Sequence, residues 1–126
     1  MRTTPSQKAQ EGVVLLEAMI AILIFSIGVL ALVGLQATMV KNTADAKYRA
    51  EASYIAQETI GRMWTDPLQV STYVTTTDIS SRLPGGSLTV ANGATAGQYQ
   101  VTVSWQQPGA GESAHNFSTT VQITGN

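Results

Sequence analysis

Glu17 is a carboxylate set inside hydrocarbon. It is the single ionisable side chain among the 23 residues from 13 to 35, where Ser26, Gly28 and Gly34 are the other departures from an apolar run. An acid at mid-bilayer costs on the order of 2.5–3.5 kcal/mol, less near the interface, and such acids are usually functional. Two chemistries suit it. The carboxylate either reaches the headgroups or takes a proton and does nothing more, or it meets a positive charge supplied from outside the run. Other chemistry is sparse. There is no cysteine, which excludes thiol nucleophiles, thiolate metal sites and disulfides. His115 is the only histidine, too little for a histidine metal cluster or a catalytic triad, and a solvated or capping role at the start of a strand is expected for it. Asp66, Asp78 and Glu112 are scattered through loops, and no spacing pairs them. No catalytic residue, metal or cofactor is expected, so an enzyme held by one anchor is the weakest of the function classes.

The element that must position Glu17 is a helix. At 1.5 Å per residue the run spans roughly 35 Å, against a bilayer core of about 30 Å. Before it, residues 1–12 carry Arg2, Lys8 and Glu11, a side-chain charge of +1 with no hydrophobic block. Positive residues ahead of a span favour a cytoplasmic N-terminus and an exported C-terminus, although Lys41, Lys47 and Arg49 follow the span closely. A classical secretory signal needs an apolar core of about 7–15 residues and a nearby small-x-small site. This run is longer, and Ala44-Asp45-Ala46 lies well past its end.

A polar leader ending in Gly12, then Val13-Val14-Leu15-Leu16, then Glu17 and a long apolar helix resembles the class III signal of the type IV pilin and pseudopilin family. The stretch Ser26-Ile27-Gly28-Val29-Leu30-Ala31-Leu32-Val33-Gly34-Leu35-Gln36 is similar to the PilV-type minor pilins of type IV pili, with a minor pseudopilin of type II secretion as the nearest alternative. The resemblance covers about the first third of the chain. It implies cleavage by a prepilin peptidase between Gly12 and Val13, N-methylation of Val13, and a subunit assembly contact at Glu17. Most family members carry Phe where this chain has Val13. It further implies a pilin-like fold, a bacterial inner-membrane protein with one span and a periplasmic C-terminus, and later incorporation into the cell-surface pilus. The implied partners are the prepilin peptidase, the other minor pilins, the major pilin and the membrane.

Residues 36–64 contain no proline, and Ala44, Tyr48, Ala52, Ile55, Ala56, Ile60 and Met63 recur at spacings of three and four. That stripe predicts the second, amphipathic half of the same helix, with Asp66-Pro67 ending it. Lys41 with Asp45, Lys47 with Glu51 and Glu58 with Arg62 stand four apart, each pair worth a few tenths of a kcal/mol. Gly28 and Gly34 suit close helix packing at small residues. Major pilins often place a proline near Gly34; this run has none, so the glycines are also its points of least helix propensity.

Beyond residue 67 the composition turns to Thr, Ser, Gly, Val and Gln. Residues 70–77 read either as strand or as an irregular crossing loop. A short strand is predicted at 87–91 after the Pro84-Gly85-Gly86 turn. Residues 98–106 alternate, placing Tyr99, Val101, Val103 and Trp105 on one face; residues 117–124 place Phe117, Thr119, Val121 and Ile123 on another. The last two strands are expected to pair as an antiparallel hairpin. The expected fold class is therefore α+β: a long N-terminal helix packed on a small three- or four-stranded antiparallel sheet. Its expected divisions are a cleaved leader (1–12), a membrane or filament-core segment (13–35), a periplasmic half-helix (36–66) and a sheet domain (67–126).

The net charge is −1, with 12% charged residues, which gives no ground for nucleic acid as a partner. Trp64, Trp105, Tyr73 and Tyr99 have the chemistry to stack on single strands, yet Arg82 is the only Lys or Arg after Arg62, so core packing is expected of them. The resemblance implies an assembly subunit, a minor pilin that takes part in initiating assembly of the type IV pilus and is incorporated into it at low level, with a pilus-borne adhesion or DNA-uptake module as the second class.

Overall fold

The computed structural model describes residues 7–109, 111 and 113–125, with side chains described from Glu11 onward. Arg2 and Glu112, with the first half of the expected leader, lie outside the described residues. Helix α1 runs Gln7–Thr65, starting within the expected leader rather than at Val13. Gln7, Lys8, Ala9, Gln10 and Glu11 are all good helix formers, which explains the earlier start. The end falls where the sequence placed it. Asp66, at φ −134° and ψ 67°, has left the helical region, which a following proline disfavours.

The chain divides into two compact units at Asn42/Thr43, inside α1. In the first, every large apolar side chain from Val13 to Leu35 is exposed. The two hydroxyls in this stretch and just beyond it are satisfied within the helix: Ser26 Oγ donates to the Ile22 carbonyl at 2.7 Å and Thr38 Oγ1 to that of Gly34 at 3.2 Å. Among the described residues this is the one helix long and apolar enough to cross a membrane.

The second unit is a helix–sheet layer. After a 3-10 segment at Pro67–Tyr73 the chain forms β1 (Thr76–Asp78), β2 (Ser87–Asn92), β3 (Gln98–Trp105) and β4 (His115–Gln122). The strands lie in sequence order, each antiparallel to the next. The expected hairpin is the β3–β4 pair, with Val101 opposite Thr119 and Val103 opposite Phe117. Of residues 70–77, expected as strand or irregular loop, 70–73 belong to the 3-10 segment and 76–77 begin β1.

The helix stripe behaves as the spacing predicts. Ala52, Ile55, Ala56 and Met63 are buried, and Tyr48 and Ile60 pack at the margin. Facing them are Val70, Leu83, Val90, Val101, Val103, Trp105 and Ile123. Neither layer closes a core alone, so the apolar faces of helix and sheet remove each other from water. Tyr73 and Tyr99 pack against this core, but Trp64 does not; it is 51% exposed, one position beyond fully buried Met63. A helix turns about 100° per residue, which is enough to carry Trp64 off the stripe that Met63 occupies.

Candidate functional site

The three residues singled out by the motif sit together on the exposed half of α1. Val13 and Glu17 are four apart, hence on one face, and Val13 is 64% exposed. The side chain of a helical residue leans toward the N-terminus, so the Glu17 carboxylate lies over the turn that begins at Val13. No described residue forms an ion pair or hydrogen bond with Glu17. Gly12 is equally open, since a Cβ added there meets nothing within 4 Å. The fold of the chain therefore places no demand for glycine at this position. The same holds at Gly28 and Gly34.

The remaining polar chemistry belongs to the helix–sheet unit and is structural in geometry. Arg82, on the β1–β2 connection, reaches α1 at two points. It contacts Glu51 at 2.7 Å and Glu58 at 2.9 Å, with its guanidinium 5.6 Å from the Tyr54 ring centroid. The Arg82 hydrogen bond holds the Glu58 carboxyl below the usual range, and the two carboxylates push the guanidinium further up. The expected Glu58–Arg62 pair forms at 2.6 Å. The Lys47–Glu51 pair does not; Glu51 pairs with Arg82 instead. Asp45 accepts from Arg49 at 2.8 Å and from Gln107 at 3.0 Å; the Arg49 hydrogen bond is the main reason its carboxyl is lowered.

His115 corrects the expectation of a solvated or capping side chain. It is half-buried, stacked on Trp105 with centroids 5.7 Å apart and planes 21° from parallel, and its Nε2 is buried without a hydrogen-bond partner. Asp78 closes a local turn, accepting the Ser80 N–H at 2.7 Å, and its carboxyl is lowered chiefly by hydrogen bonding from the Ser80 hydroxyl. With Thr76, Ser80, Gly85, Gly86 and Ser87 it lines an open groove whose one carboxylate is that of Asp78. Among the described residues no three His, Asp or Glu side chains converge as metal ligands.

Sequence reasoning missed the Arg82 clamp, whose partners are 31 and 24 positions away. It also missed the exposure of Trp64 and of Leu68, which is 84% exposed. Comparison with known proteins returns no match, whether to a family model, a curated protein or a solved structure.

Proposed function

We propose that this chain is an assembly subunit of a type IV pilus, a minor pilin of the PilV type, cut between Gly12 and Val13 and anchored by residues 13–35 before it enters the filament at low level. The observation that carries the reading is an unpartnered carboxylate one turn past the cleavage point, on a helix whose apolar half is fully exposed. The second half of the same helix is committed to a folded sheet, as an exported head domain on an anchor requires.

Hydrolysis of the Gly12–Val13 amide leaves a carboxylate on Gly12 and an α-amine on Val13. The amine is positive at neutral pH, and N-methylation keeps that charge. Two unit charges 4 Å apart attract by about 1 kcal/mol in water and about 4 kcal/mol at an effective dielectric of 20. A Glu17 carboxylate facing the Val13 amine of an adjacent subunit offsets two desolvation costs and fixes the axial register of the helices. Removing either partner strands the other charge. Gly12 fits as the residue the peptidase must approach, because nothing within the chain requires a glycine there.

N-terminal sequencing of the mature protein tests the reading, with Val13 the expected first residue. A mature chain starting elsewhere overturns it. Co-purification with minor pilins, rather than with secretion pseudopilins, distinguishes the pilus from the type II secretion alternative.

A further inference from the structure

The sheet has two edges, and they are built differently. β1 is three residues long and carries Asp78, both devices that discourage a further strand. β4 is eight residues long, holds unbroken register with β3 from Trp105↔His115 to Gln98↔Gln122, and contains no proline, no lysine and no acid. It therefore has none of the features that guard an edge.

The hydrogen-bond phase of β4 follows from one contact. Ile123 N–H donates to the Gly97 carbonyl at 2.8 Å, so this pair is a hydrogen-bonded one. Antiparallel ladders alternate, which makes His115, Phe117, Thr119 and Val121 the residues bonded to β3. The backbone N–H and C=O groups of Asn116, Ser118, Thr120 and Gln122 point away from the sheet. No backbone hydrogen bond from a described residue reaches them. Donors and acceptors alternating at every second residue match only another extended backbone. On the core side, Phe117 and Val121 are half-buried apolar groups at the margin. On the other side, Thr102 and Ser118 hydroxyls meet at 3.0 Å, and the Gln100 amide donates to Ser118 at 3.0 Å, within an uncharged surface.

We propose that the outer edge of β4 is a docking site for an uncharged extended segment of another protein, apolar at alternate positions, which adds as a fifth strand. A second copy of this chain paired through the same edge is the alternative that the test separates.

The test uses the full chain in detergent micelles and a peptide copying Gln98–Trp105, the native antiparallel neighbour of β4, with a scrambled peptide as control. NMR-detected hydrogen exchange is expected to show about tenfold slower exchange at the Asn116, Ser118, Thr120 and Gln122 amides with the peptide and no change with the scramble. Thr120→Pro deletes an outward donor and no ladder bond, so it should abolish the protection while Tm holds. Asn116→Pro serves where Thr120→Pro lowers Tm. Protection confined to β1, equal protection by both peptides, or none overturns the proposal. Concentration-dependent protection without peptide also overturns it, in favour of self-pairing. A mature N-terminus other than Val13 leaves these outcomes unaffected, so the two readings fail separately.

Discussion

Glu17 and Gly12 are informative because nothing in the described chain accounts for them. Both are exposed, neither has a partner among the described residues, and the fold needs neither. Replacing Gly12 with Leu is expected to leave the folded unit unchanged and to block processing, so that an anti-leader immunoblot detects the uncut chain in membranes. Glu17→Ala makes the converse separation. It is expected to be cut at the same bond, to remain in the membrane with normal Tm, and to fall at least several-fold in sheared filaments, since on the proposed reading it removes the counterion of a neighbour's Val13 amine. Normal filament levels of that variant would remove the assembly role. Both residues were visible in the sequence, since one acid in 23 apolar positions is a composition anomaly that needs no coordinates. His115 was not, because its environment is made by a hairpin partner ten positions away.

At the scale of elements, the stripe on α1 and the two alternating strands were legible because helical and strand periods are local properties of the chain. The clamp between α1 and the β1–β2 connection was not, because Arg82 meets Glu51 and Glu58 only after the sheet has closed. The same connection depends on Gly86, where an added Cβ falls 2.8 Å from the Leu83 carbonyl oxygen. Two expectations follow. Met63→Ala empties a fully buried site and should cost about 2–5 kcal/mol in denaturant unfolding, whereas Trp64→Ala, next to it and half exposed, should stay within about 0.5 kcal/mol. Arg82→Ala should lower Tm at neutral pH by an amount that shrinks with added salt. The sign with pH is fixed by Glu58. Its carboxyl is lowered in the folded state by the Arg82 hydrogen bond, so the stabilisation is present above the unfolded value near 4.3 and is lost as pH falls through the folded one. The Tm gap between Arg82→Ala and the parent should therefore narrow as pH falls below the unfolded value.

Two kinds of surface meet along one helix. Residues 13–35 present large apolar side chains outward almost throughout, and residues after Asn42 turn a stripe of them onto a sheet. The pattern of side chains changes while the backbone element does not, so the boundary is set by what each half must face and not by a break in the helix. A fragment starting at Thr43 keeps Ala52, Ile55, Ala56 and Met63 over Val101, Val103 and Trp105 and sheds the entire exposed apolar run. It is expected to be monomeric in water without detergent, to show mixed helix and strand by circular dichroism, and to unfold in one cooperative transition. The full chain should partition into membranes and resist extraction by carbonate, because roughly 20 apolar residues are enough to anchor it. A Thr43 fragment that aggregates or melts without cooperativity would mean that the helix–sheet core draws stability from the preceding residues. A full chain that stays in the aqueous phase would mean that the exposed run is covered by protein instead of lipid.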